Sequence, residues 1–232
     1  MIKRLMVAAA LFVASVWAYG TEPQRVSILG DSYSTFLGAV QPAGNEVWYY
    51  PTDPEEKTDV TAVEKTWWHI FLEHSGMKLE RNNSYSGSTV CHRGYNGEDY
   101  SSRSFITRMN DLGSPDLILV FGATNDHWAG VALTPEGRGA TEPHSLYTFR
   151  PAMDYMLQQL GVLYPGARVV VMLNDIIDGP VRDAVIEICA ARGVECLQLK
   201  DISKRMGHPD SEGMREIAAQ LSDFLTSADR KI

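Results

Sequence analysis

The chain has 232 residues, 44% of them hydrophobic, 22% charged and 9% aromatic, a mixture that excludes a disordered, collagenous or coiled-coil protein. Its formal net charge of −8 sets 29 acidic against 21 basic side chains. Such a surface repels nucleic-acid backbones and anionic lipid, so neither is an expected partner.

Residues 1–20 have the layout of a secretory signal peptide. Lys3 and Arg4 precede an apolar run over 5–17, and the small residues Ala18 and Gly20 follow. The run is shorter than the roughly 20 residues that cross a bilayer, and no cysteine follows it for lipid attachment. A retained anchor is the competing reading. Export to the periplasm or the exterior is expected, with no membrane association once the segment is removed. Residues 21–232 then form a single domain, because no repeat and no Pro/Ser-rich linker divides them.

In chain order, 26–29 read as a buried strand ending at Gly30. Residues 63–74 read as a helix with Trp67, Ile70 and Phe71 on one face, and 78–81 as a short strand. Residues 116–121 hold "LILVF", apolar on both faces as a parallel sheet requires. A helix over 151–163 follows from Met153, Met156, Leu157, Leu160 and Leu163. Residues 168–173 repeat the strand pattern with "VVVML". Residues 180–191 start on Pro180 and stop at Gly193, the ends of a helix. A fifth strand is expected over 194–199 and a last helix over 212–226. This alternation calls for an α/β fold with a five-stranded parallel sheet and helices on both sides. Two long connections, 33–62 and 126–148, both follow strand carboxyl ends, where open α/β sheets bind ligands.

Four polar clusters punctuate this frame. Gly30-Asp31-Ser32 follows the first strand, and Asn83-Ser84-Tyr85-Ser86-Gly87 follows the second. Gly122-Ala123-Thr124-Asn125 follows the third, and Gly207-His208-Pro209-Asp210 precedes the last helix. Each alone reads as an ordinary turn. Together they supply an acyl-transfer site, with Ser32 as nucleophile and His208 as the base that activates it. The Ser32 N–H, the Gly87 N–H and the Asn125 amide are the donors for an oxyanion.

These stretches, "ILGDSYS", "NNSYSGST", "VFGATND" and "GHPDSEGM", resemble those of the SGNH hydrolases, the GDSL esterase/lipase family, in the same order. The resemblance runs from about Val26 to the C-terminus. It implies a flavodoxin-like three-layer α/β/α sandwich, the same site residues, and no metal or organic cofactor. It implies a carboxylic ester hydrolase, and the expected reaction removes a small acyl group, acetyl, from a carbohydrate or other small-molecule ester. The alternatives are a lipase or thioesterase of the same family, or a catalytically silent carbohydrate-binding protein.

Two positions depart from the family pattern. Ala123 stands where the family has glycine, two residues before the block's asparagine. Arg205 stands where the triad acid is expected, three residues before His208. That leaves either Asp201, reached by a folded-back loop, or a main-chain carbonyl in a Ser–His dyad. No phosphate-cradling glycine loop follows the first strand, which argues against a nucleotide-binding flavodoxin-like domain.

Other conspicuous residues have structural readings. Trp67 belongs to the core by helical spacing, whereas Trp48, Tyr49 and Tyr50 are read equally as substrate-facing or structural. Asp31 is expected to hold its turn. Asp126 and His127 either line the pocket or are solvated, and Arg93, Arg103 and Arg108 read as a solvated face, with recognition of an acidic substrate as the alternative. Cys189 and Cys196 either pair or sit in the core as thiols. Cys91 and His92 point to opposite sides of an extended chain, which argues against a nucleophile–base pair.

Overall fold

The computed structural model describes residues 22–53, 55–134 and 146–229. The expected signal peptide over 1–20, and 135–145 of the second long connection, lie outside them. Five parallel strands make the sheet: β1 (Arg25–Gly30), β2 (Lys78–Ser84), β3 (Leu117–Gly122), β4 (Arg168–Leu173) and β5 (Glu195–Gln198). Their order is β2-β1-β3-β4-β5. The helices are α1 (Trp67–Ser75), α2 (Phe105–Arg108), α3 (Thr124–Trp128), α4 (Phe149–Leu163), α5 (Gly179–Arg192) and α6 (Ser211–Asp229). Among the described residues no helix is long and apolar enough to cross a membrane.

Period-two alternation along strands buried on both faces divides the core into two halves. Val26, Ile28, Leu119, Phe121 and Met172 pack with Trp67 and Phe71 of α1 and with Ile217 and Leu221 of α6. Leu29, Ile118, Val120 and Val171 pack with Phe105, Met156 and Val185 on the opposite side. The result is the expected three-layer sandwich. Because β1 pairs with β2 on one side and β3 on the other, the strand order reverses there. The crevice above the carboxyl ends of β1 and β3 is where such sheets bind ligands.

Several element boundaries differ from expectation, each for a local reason. The helix expected over 63–74 divides into a 3-10 turn, Val63–Lys65, and α1, because Thr66 intervenes as an extended N-cap whose hydroxyl accepts the His69 N–H at 3.4 Å. Trp67 and Trp68 are both buried, with indole N–H groups donating to the Tyr33 and Ser34 carbonyls, each at 3.1 Å. β2 runs on through Asn82, Asn83 and Ser84, polar residues that apolar periodicity overlooks. All three are buried, and Asn82 donates to the Ser34 carbonyl at 2.9 Å. Two elements are too short for an apolar period to show: α2, and a hairpin of β6 (Lys204–Arg205) with β7 (His208–Pro209).

Trp67 supplies both core volume and a hydrogen bond to the loop behind β1. Trp67→Ala is expected to lower unfolding free energy by about 3–5 kcal/mol, measured as a fall in the urea midpoint at unchanged m-value.

Candidate active site

Ser32 opens a 3-10 turn, Ser32–Ser34, directly beyond β1. Asp31 caps it as expected, its Oδ1 accepting the Tyr33 N–H at 3.0 Å. As the first residue of the turn, Ser32 has no partner within it for its own N–H, and its hydroxyl and amide lie at the same strand end. The side chain is almost enclosed, 3% exposed.

His208 arrives from the other end of the chain on the β6–β7 hairpin. The two turn residues, Met206 and Gly207, have φ of 51° and 76°, the two left-handed positions that a tight two-residue hairpin turn demands. This turn aims the Met206 carbonyl back at the imidazole, 3.2 Å from Nδ1. A carbonyl only accepts, so Nδ1 carries the hydrogen and Nε2 is left to accept from Ser32 Oγ, 2.9 Å away. The Tyr33 hydroxyl donates to the Gly207 carbonyl at 2.5 Å, and that of Tyr49 to the Pro209 carbonyl at 2.9 Å. Both tyrosines therefore hold the hairpin from below. Trp48 stacks on the imidazole at 3.6 Å between centroids and 9° between planes. Burial among these rings pushes the His208 pKa down to about 4, against a smaller upward pull from the Met206 carbonyl.

Asp201, expected as one possible triad acid, does not meet the ring, because the Met206 carbonyl occupies Nδ1. Asp201 is exposed, at a left-handed φ of 53°, and lines a separate depression. Arg205, at the family's acid position, is the strand partner of His208 and is also exposed. Of the three loop aromatics, Tyr49 is core, Trp48 packs on His208, and Tyr50 is exposed.

Gly87 takes φ of 77° in the turn after β2, a conformation that presents backbone without side-chain obstruction. Asn125 lies in the first turn of α3, 2% exposed. Its Nδ2 donates to the Ser88 carbonyl at 3.0 Å, and its Oδ1 accepts the Tyr95 hydroxyl at 2.8 Å. These two bonds fix the orientation of the amide and leave one Nδ2 hydrogen for a ligand. Tyr95 was not anticipated, since a lone loop tyrosine carries no pattern. Ala123 adopts φ of 70°, the left-handed conformation that glycine adopts without strain and that a β-carbon disfavours. Asp126 is buried and accepts the Val90 and Cys91 N–H groups at 2.7 and 3.3 Å. Burial raises its pKa to about 6 despite those bonds.

Arg108, expected on a solvated face, is buried instead. Its guanidinium donates to the Gly30 carbonyl at 3.1 Å, to Ser88 Oγ at 2.8 Å and to the Asn83 carbonyl, while Nε donates to the Arg103 carbonyl at 2.8 Å. One cation thus ties the ends of β1 and β2 to the loop that carries Gly87. Burial lowers its pKa to about 9, which leaves it charged at neutral pH. Burial also raises Asp31 to about 7, with the Tyr33 N–H and Arg108 pulling the other way. Arg103 stacks on Tyr100 at 3.6 Å, and Arg93 is exposed.

The cysteines stay outside this chemistry. Cys91 is buried and its thiol donates to the Arg93 carbonyl at 3.4 Å, while His92 meets Ser104 at 2.9 Å. Cys189 and Cys196 are free thiols packed together. Among the described residues no three His, Cys, Asp or Glu side chains gather as metal ligands would.

A family model for GDSL-like lipase/acylhydrolase proteins matches residues 24–225. The chain belongs to that family. A candidate GDSL-like lipase from Bacteroides uniformis ATCC 8492 is 50% identical, with a TM-score of 0.85 over 90% of this chain and 98% of the other. One from Bacteroides ovatus ATCC 8483 is 46% identical, with a TM-score of 0.85 over 89% and 99%. An acetyl xylan esterase from the rumen bacterium Butyrivibrio proteoclasticus shares the fold at 15% identity, with a TM-score of 0.59 over 88% and 64%. No curated protein matches.

Arg108→Met removes the donor that two buried strand-end carbonyls share. The expected loss is about 2–4 kcal/mol of stability, read from guanidinium or urea unfolding.

Proposed function

We propose that this GDSL-family hydrolase is an exported serine esterase that removes a small acyl group, acetyl, from a carbohydrate ester. Ser32 Oγ attacks the ester carbonyl while His208 Nε2 takes its proton. The oxyanion of the tetrahedral intermediate faces the Ser32 and Gly87 N–H groups and the free Nδ2 hydrogen of Asn125. Collapse expels the alcohol, which takes the proton from Nε2. Water, deprotonated by the same nitrogen, then releases the acid and restores Ser32. The scheme draws on no metal or organic cofactor.

The observation that carries this reading is the 2.9 Å contact between Ser32 Oγ and an imidazole nitrogen held as acceptor. A short acyl group is supported by enclosure, since Ser32 and His208 are 3% and 6% exposed and Trp48 walls the ring. A sugar ester is supported by the shared fold with the acetyl xylan esterase, and export by the residue pattern of 1–20. The absent carboxylate at Nδ1 favours the silent binding protein as second reading.

A fluorophosphonate probe separates the two. Labelling at Ser32 that disappears in Ser32→Ala, with turnover of p-nitrophenyl acetate above longer-chain esters, is the expected result. No labelling and no turnover would leave only the binding reading.

His208 acts as base only when neutral, and its pKa is lowered to about 4. The acid limb of the kcat/KM profile is therefore expected near pH 4, with activity lost below it. A limb at the ordinary histidine value of about 6.5 would contradict the buried geometry.

Tyr95→Phe frees Asn125 to flip without removing the amide. We expect kcat to fall about tenfold with KM little changed, a smaller effect than the roughly 100–1,000-fold loss typical when an oxyanion donor is deleted, as Asn125→Ala would do.

A further inference from the structure

A depression of about 430 Å³ opens at the carboxyl ends of β4 and β5, apart from the Ser32–His208 pair. Its floor is apolar, formed by Leu173 and Leu199, and its walls are polar, with Asn174, Asp178, Arg182 and Gln198 among them. Asn174 is 1% exposed; its Nδ2 donates to Thr124 Oγ1 at 3.1 Å, while its Oδ1 has no partner. A buried amide oxygen without a donor is costly unless a ligand or water supplies one. Arg182 donates to Gln198 Oε1 at 3.1 Å, so two planar polar groups stand side by side on the exposed rim.

The charges of the depression balance. Asp178 and Asp201 are matched by Arg182 and Lys200, and Asp175 is paired with Lys204. No net field selects an anion or a cation, whereas donors and acceptors alternate around the wall. That chemistry suits a neutral, hydroxyl-rich ligand.

The depression also connects with the nucleophile. Thr124, bonded to Asn174, immediately precedes Asn125. His127 Nε2 lies 3.7 Å from Asp178 Oδ1. The next residue, Trp128, is 40% exposed, and its ring lies 5.9 Å from that of His208 between centroids, tilted by 60°. An exposed indole thus lies beside the imidazole, one residue on from the histidine that meets Asp178 of the depression.

We propose that this depression is a saccharide subsite that holds a neutral sugar unit of the ester's alcohol portion. Arg182 and Gln198 bind sugar hydroxyls at the rim, Leu173 and Leu199 meet the apolar face of the ring, and Trp128 packs against the chain of sugars that leads to Ser32. The proposal deepens the esterase reading and rests on it for the position of the ester, but it has its own binding test.

That test titrates unacetylated xylotetraose and cellotetraose into Ser32→Ala protein by calorimetry, alone and with Arg182→Ala and Gln198→Ala added. Both added positions are exposed, and circular dichroism checks folding. At least one oligosaccharide is expected to bind, with affinity weakened about ten- to hundredfold in the triple variant, on the order of three- to tenfold per lost hydrogen bond. In protein that retains Ser32, the double substitution is expected to lower the preference for acetylated xylotetraose over p-nitrophenyl acetate by a similar factor. No binding at millimolar sugar, or equal binding in the triple variant, overturns the subsite. Arg182-dependent binding without any ester turnover would keep the subsite and sink the esterase. Turnover with unaltered preference in the double variant would do the reverse.

Discussion

Ser32 and His208 are 176 positions apart, yet one buried hydrogen bond of 2.9 Å joins them, and the remaining structure of the site serves to keep it. A serine at a strand end and a histidine on a two-residue turn have few local restraints. The main chain flanking each is therefore pinned from outside, and the imidazole itself is held by the Met206 carbonyl and by Trp48. Tyr33 and Tyr49, both buried beside α1 and α6, donate to carbonyls on either side of His208. Arg108 holds the end of β1 from the opposite side of the sheet. The pair is thus suspended between the two halves of the core, and the packing of each half sets the position of one partner.

The imidazole has a neutral orienting partner where the family pattern expects a carboxylate. A carboxylate would fix the ring, raise its pKa and stabilise the imidazolium that forms as the serine proton transfers. The Met206 carbonyl fixes the tautomer without supplying a full charge, and Trp48 supplies rotational restraint through stacking. Burial then dominates, and the pKa falls rather than rises. Such a base is weaker, but it stays unprotonated in acid where a carboxylate-paired histidine would not. Geometry is retained and part of the electrostatic assistance is given up.

The parts of this arrangement that were legible in the sequence are those in which a side-chain type is itself the signal. The alternating apolar runs give the layers and the sheet, and the four polar clusters give Ser32, Gly87, Asn125 and His208 as neighbours at one end of it. The illegible parts depend on backbone groups, which every residue carries. The partner of Nδ1 is a carbonyl, so a search for a carboxylate reaches Asp201, which folds elsewhere. Arg108 looks like any surface arginine until the converging ends of β1 and β2 create carbonyls that need a donor. Trp48 and Tyr95 lie in irregular loops without a period, so their contacts with His208 and Asn125 leave no trace in spacing. Ala123 is illegible in another way: its side chain gives no hint of the left-handed backbone conformation it takes.

The buried titratable groups around this bond also act on the fold, and they act in opposite directions. His208 has a folded pKa near 4, below the unfolded value of about 6.5. Its contribution to stability is present above the unfolded value and is lost as pH falls toward 4, because the unfolded chain takes up the proton first. Asp31 and Asp126 have folded values raised to about 7 and about 6. Their contributions are present at acid pH and are lost as pH rises through those values. Between about pH 4 and 6.5 the histidine weakens the fold on acidification while the two aspartates strengthen it, so the terms offset. The histidine and the two aspartates therefore oppose each other over the same acid range in which the imidazole remains an acceptor for Ser32.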